Sequence, residues 1–130
     1  MGAEANARVA RAIFDCFEKR DPIRLRGLFH PDATWTVPGA STVAGTYSGR
    51  TEIFRFLASL RRRTDDTYRS RLIDALGSED RAAALYRASG MRNGVELDID
   101  QVLLFTIRDG VVVDVLALPS DPLAFEKFWS

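Results

Sequence analysis

One cysteine and one histidine in 130 residues remove much chemistry before any motif is sought. The lone thiol, Cys16, excludes an intrachain disulfide framework and a cysteine-based metal site, and its place in a helical apolar pattern makes it a packed side chain. One imidazole with no paired inward carboxylates leaves too few ligands for zinc or iron, so neither a metal nor another cofactor is expected. Familiar nucleophile and phosphate-binding motifs are also missing. Nor is there an excess of either charge. The 18 basic and 18 acidic side chains are scattered along the chain, which argues against a nucleic-acid or lipid-binding field. The only basic run, Arg61-Arg62-Arg63, closes a predicted helix, where cations complement the dipole. Long apolar runs are lacking too. No stretch approaches a membrane span, and residues 1–20 carry Glu4 and no continuous apolar core of a signal peptide, so a soluble cytoplasmic protein is expected.

What is present is 46% hydrophobic side chains, enough for one core, and 1–130 reads as a single domain. Val9, Ala10, Ile13, Phe14 and Phe17 recur at helical spacing and predict a helix over 3–20. Asp21 before Pro22 is an N-cap with a first-turn proline, opening a short second helix. Residues 33–37 alternate as a strand that ends at Pro38-Gly39, and "GASTVAGTYSG" reads as a long loop. Ile53, Phe56, Leu57 and Leu60 mark a third helix. From Thr67 the period changes to that of strands. Breaks at 77–80, at Arg92-Asn93-Gly94 and at Arg108-Asp109-Gly110 predict four antiparallel strands near 67–76, 81–90, 95–107 and 111–118. Asp121-Pro122 repeats the cap-plus-proline signal and opens a C-terminal helix. Helices followed by a meander of strands predict an α+β domain, a bent antiparallel sheet wrapped around the N-terminal helices.

Three segments, "LFHPDATWTVPG", "AGTYSGRTEIFRFLASL" and "VLLFTIRDGVVVDVLALPSDPLAFEKFW", resemble in order and spacing the SnoaL-like branch of the nuclear-transport-factor-2-like, ketosteroid-isomerase-like superfamily. The likeness spans nearly the whole chain and implies a cone-shaped α+β barrel and a homodimer. It also allows a position-by-position search for catalytic groups. Ketosteroid isomerases use an Asp base with a Tyr and a protonated Asp on the developing oxyanion. Ungapped comparison places the base at Val37, the Tyr near Ile13 and the second Asp near Leu103, so all three polar functions are replaced by aliphatic groups. The epoxide-hydrolase branch needs an Asp-Arg-Asp set, whereas Arg87 is followed at i+2 by Ser89, and the late carboxylate falls near Ala117. Polyketide cyclases of the SnoaL-like group require an Asp or His acid/base, for which the candidates are His30, Asp98, Asp100 and Asp121. Each has a plainer reading. His30 belongs to an exposed helix end, Asp98 and Asp100 alternate outward against Leu97 and Ile99, and Asp121 is an N-cap.

The expected function is therefore binding of a small, mostly apolar molecule inside the cone. Phe14, Phe17, Trp35, Val37, Phe56, Gln101, Leu103 and Val115 would line it, with Tyr47 over the mouth or pinning the loop. The inward row of the third strand runs Val95, Leu97, Ile99, Gln101, Leu103, Phe105 and Ile107. Gln101 is its one polar member, and a buried amide needs a partner, whether protein, water or ligand. The other readings are a cofactor-independent cyclase, isomerase or hydrolase, and a dimerising protein–protein module. For dimerisation the signal is on the opposite parity: Val102 and Leu104, with Leu116 and Leu118 on the next strand, where Val113, Val115 and Ala117 are expected inward.

Overall fold

A computed structural model describes residues 2–130. The chain opens with α1 (Gly2–Lys19) and the short α2 (Pro22–Arg26), then runs through β1 (Phe29–Val37), β2 (Gly45–Ser48) and α3 (Arg50–Arg62). Four long strands follow, β3 (Arg69–Gly77), β4 (Arg81–Arg92), β5 (Val95–Arg108) and β6 (Val111–Pro119), and α4 (Pro122–Phe128) ends the fold. No helix of the described residues is long and apolar enough to cross a membrane.

Local chemistry accounts for most of these boundaries. The Asp21 carboxylate accepts from the Arg24 N–H at 3.1 Å and that of Asp121 from the Ala124 N–H at 3.1 Å, each capping a helix that starts with proline. Asn93-Gly94 and Asp109-Gly110 both hold positive φ at two successive residues, 51° and 76° in the first pair and 51° and 78° in the second. That is the requirement of a two-residue hairpin turn whose twist matches the strands. Arg92 accordingly pairs with Val95, and Arg108 with Val111.

The six strands form one sheet in the order β2-β1-β6-β5-β4-β3. Two features differ from expectation. The sheet is mixed, because β1 runs parallel to β6 while every other pair is antiparallel, and it stays open, with β2 and β3 as edges, rather than closing into a barrel. β2 itself lies inside the segment expected to be loop. Its Gly45-Thr46-Tyr47-Ser48, exposed except for the half-buried Tyr47, pairs with β1, and so short and polar an edge strand carries no apolar alternation to announce it. β1 also begins earlier than expected, so His30 sits on a strand rather than at a helix end. The pairing of β1 with β6 is irregular between Phe29 and Thr34, where Pro31 has no N–H to offer a ladder.

The helices all lie on the concave side. α1 crosses β3 and β4, α3 crosses β1 and β2, and α4 packs on β5. The start of α1 meets the end of β3 closely: a Cβ at Gly77 would stand 2.0 Å from the Ala3 carbonyl oxygen. Asn6 fastens the same corner, donating to the Ser78 and Glu79 carbonyls at 2.9 and 3.1 Å. The long helices thus cover the two ends of the sheet and leave its middle strands as the floor of a space between them. Inward parity on β5 is as expected, with Leu97, Gln101, Leu103, Phe105 and Ile107 buried. On β6 it shifts. A bulge opposite Thr106 and Ile107 takes up one residue, so Val112 rather than Val113 is fully buried.

Candidate functional site

Between α1, α2, α3 and the edge strand β3 opens a cleft of about 740 Å³. Phe14 and Phe17 form its α1 wall, Leu57 and Leu60 its α3 wall, and Trp35, Tyr86 and Leu103 its floor. A second cavity of about 30 Å³ lies deeper, toward α4, among Val37, Phe56, Gln101, Ala117, Phe125 and Trp129. Trp35, Leu60, Tyr68, Tyr86 and Leu103 line both spaces and so form the wall between them. The deep cavity has room for a single water-sized group, the cleft for a whole small molecule.

Aromatic packing fixes this wall. The Trp35 ring stacks near Phe29 at 6.4 Å and leans on Phe56 at 5.9 Å. Phe14 packs on Tyr86 at 4.9 Å, and Trp129 on Tyr68 at 5.7 Å. Rings held on several sides keep their rotamers, so their polar edges point in fixed directions.

The polar groups inside are few. Gln101 Nε2 donates to the Tyr86 hydroxyl at 2.6 Å, and the Tyr68 side chain lines the same two spaces as Tyr86. Burial pushes the Tyr86 phenol well above its usual 10.0, and Tyr68 is also raised by burial. Both therefore stay protonated at neutral pH and act as hydroxyls rather than bases. Two polar atoms of the wall have no partner, Trp35 Nε1 and Gln101 Oε1, although Trp35 and Gln101 are only 4% and 3% exposed.

Of the residues expected to line the cone, Phe14, Phe17, Trp35 and Leu103 line the cleft, and Trp35, Val37, Phe56, Gln101 and Leu103 line the deep cavity. Tyr47 and Val115 line neither. The Tyr47 hydroxyl donates to the Val43 carbonyl at 2.7 Å with its ring stacked on Phe56, which pins the loop, and Val115 is wholly packed in the core. Tyr68 and Trp129 went unrecognised as lining residues. Alternation through Tyr68, Ser70 and Leu72 marks the inward face of β3, but nothing local shows that α4 folds back to bring Trp129 against it.

The carboxylates and the imidazole lie away from the deep cavity. Arg87 donates to Asp98 at 2.9 Å and to Asp100 at 2.8 Å, and of these Arg87 and Asp98 line the cleft. His30 is exposed and its Nδ1 accepts from the Asp32 N–H, while Asp121 caps α4. Asp15, at the cleft mouth, is held below the usual carboxylate range by its hydrogen bond to Arg24, with Lys19 adding to the effect. Val37, Ile13 and Leu103, where ungapped comparison led the isomerase groups to be sought, are all buried aliphatics. Among the described residues no group of three His, Cys, Asp or Glu is placed to hold a metal.

Sequence comparison agrees with this architecture. The SnoaL-like domain profile matches residues 10–115. The chain belongs to the SnoaL-like domain family. It is 30% identical over the full length of both chains to the uncharacterized protein Rv0034 of Mycobacterium tuberculosis. Among solved structures it superposes on Bal32a, from a soil-derived mobile gene cassette, with a TM-score of 0.95 and 31% identity, covering 100% of each chain. A protein of unknown function with a cystatin-like fold from Xanthomonas campestris follows at 0.88 and 28% identity, over 95% of this chain and 96% of that one. The likenesses to Rv0034 and Bal32a cover the whole chain and so extend through α4, beyond the profile match.

Proposed function

We propose that this SnoaL-like protein binds a small, mostly apolar molecule in the cleft, with the molecule's body between α1 and α3 and its inner end against Trp35 and Leu103. The observation that carries the reading is the pairing of a roomy, aromatic-walled cleft with a rigid floor. Such concave sites suit compact organic ligands; charged side chains, among them Arg11, Asp15, Arg20, Arg61, Arg71 and Asp98, also line this one, around an apolar part made by Phe14, Phe17, Trp35, Leu57, Leu60 and Leu103. The other reading, a cofactor-independent cyclase, isomerase or hydrolase, needs a group of tuned acidity within reach of the ligand. The deep wall offers two phenols raised away from neutrality and an amide, Asp15 at the mouth is shifted toward greater acidity, and Asp98 in the cleft lining is paired with Arg87 at 2.9 Å. Binding without proton transfer is therefore favoured.

Equilibrium dialysis against naphthalene tests the proposal, with Leu57→Trp as the filled-cleft control, because Leu57 is a half-buried wall residue of α3. Saturable binding of one naphthalene per chain, weakened about tenfold or more by Leu57→Trp, is expected, since about 1.4 kcal/mol of lost contact gives that factor. No saturable binding, or binding that the filled variant retains, contradicts it.

We also propose that the convex face is the interface of a homodimer. The aliphatic patch there is continuous across three paired strands: Leu85 lies opposite Val102 and Val102 opposite Leu118, while Ala83 lies opposite Leu104 and Leu104 opposite Leu116. α4 does not cover it, since Phe125 and Trp129 face the deep cavity on the other side of the sheet. A two-fold axis would bring the patch onto its own copy.

A further inference from the structure

The two unpartnered atoms of the deep wall differ in kind, and the difference constrains what can lie against them. Trp35 Nε1 carries a hydrogen and can only donate, whereas Gln101 Oε1 can only accept. Both are buried, so each is destabilising while unpaired. The Gln101 amide donates through Nε2 to the Tyr86 hydroxyl at 2.6 Å, which leaves its oxygen without a partner. A ketone or ether would satisfy the indole and set one oxygen lone pair against another at Gln101. A carboxylate would do the same and carry a charge into an apolar wall. An ammonium would satisfy Gln101 and oppose the indole N–H. A neutral hydroxyl completes both, accepting from Trp35 and donating to Gln101.

We infer that the ligand carries a neutral hydroxyl group, phenolic, enolic or alcoholic, which reaches the deep cavity and bridges Trp35 Nε1 and Gln101 Oε1 while the apolar body stays in the cleft. The size of the deep cavity, about 30 Å³, fits a single such group and no ring. The inference rests on the cleft-binding proposal and adds the chemical class of the ligand.

The test compares 2-naphthol with naphthalene by equilibrium dialysis against the intact protein. Two neutral hydrogen bonds to otherwise unpaired buried groups predict that 2-naphthol binds about tenfold more tightly or better. Gln101→Leu and Trp35→Phe should each reduce the preference for 2-naphthol over naphthalene severalfold, with circular dichroism confirming that the variants are folded. Equal binding of both compounds by the wild type overturns the hydroxyl inference and leaves the cleft proposal standing. Failure of both compounds to bind overturns the cleft proposal itself. 2-Methoxynaphthalene, which accepts but cannot donate, serves as the check on direction. Binding as tight as that of 2-naphthol would mean that the wall presents donors only, and would also overturn the inference.

Discussion

The two faces of the same sheet treat polar side chains in opposite ways. On outward parity polar groups are settled among themselves: Arg87 holds Asp98 and Asp100, and Thr34 donates to Asp114 at 2.6 Å. What is left there is aliphatic and half-exposed. On the concave face the residues are almost all apolar and buried, yet the few polar atoms are only partly matched, with the Trp35 indole N–H and the Gln101 carbonyl oxygen unpaired. Unmatched apolar area and unmatched hydrogen bonds call for different partners. The first suits a second protein surface, the second a small polar group held in a fixed place.

The largest effect expected from breaking this contrast is on stability. Phe105 and Leu104 are neighbours on β5 that point to opposite faces, the first fully buried and the second half-exposed. Phe105→Ala should lower the unfolding free energy by about 3–5 kcal/mol in urea denaturation, the usual range for an emptied aromatic core site. A loss below about 1 kcal/mol would mean that the concave face is not the core. Next comes assembly. Leu104→Lys combined with Leu116→Lys places four like charges in the proposed two-fold interface and should weaken the dimer by about a hundredfold or more, leaving monomer in sedimentation at micromolar concentration. A wild type that sediments as a monomer would refute the interface, and an undisturbed dimer of the double variant would place it elsewhere.

Titration of the tyrosines separates the faces by pH. The chain has three tyrosines, and burial raises all three phenols above 10.0. The unfolded chain releases phenolic protons near 10.0 that the native state keeps. Their contribution to stability is therefore whole below pH 10 and falls as pH rises beyond it. Tyrosinate absorbance should stay below half-titration at pH 10 in the folded protein and rise steeply only with loss of the circular dichroism signal. Half-titration at 10.0 in a folded chain would contradict the burial of these phenols. The smallest effect belongs to the Arg87 ion pairs. Arg87→Met should change stability by no more than about 1 kcal/mol, because the side chains of Arg87, Asp98 and Asp100 are 38%, 55% and 43% exposed.

How far these contrasts were legible in the sequence depended on whether their cause was local. The hairpins at Asn93-Gly94 and Asp109-Gly110, the caps Asp21 and Asp121, and the inward row of β5 each follow from a few adjacent residues, and the structure has them where the pattern puts them. The parallel pairing of β1 with β6 joins residues about eighty positions apart, and no turn signal announces it. The bulge that exchanges Val113 for Val112 is silent in a run of three valines. Gln101 stood out as a polar residue in an apolar row, but its bond to Tyr86 depends on strand register. Trp129 reaches the deep cavity only because α4 turns back over β5. The cleft was thus readable as a wall of apolar parities, and its polar wiring was not.

The most direct measurement follows the indole N–H signals by nuclear magnetic resonance. The chain has two tryptophans, Trp35 and Trp129, hence two such resonances, assigned by Trp35→Phe. Titration with 2-naphthol should move the Trp35 signal downfield and saturate at one equivalent, as its unpaired N–H gains an acceptor. A Trp35 signal that stays in place at saturating 2-naphthol would contradict the claim that this wall receives the ligand.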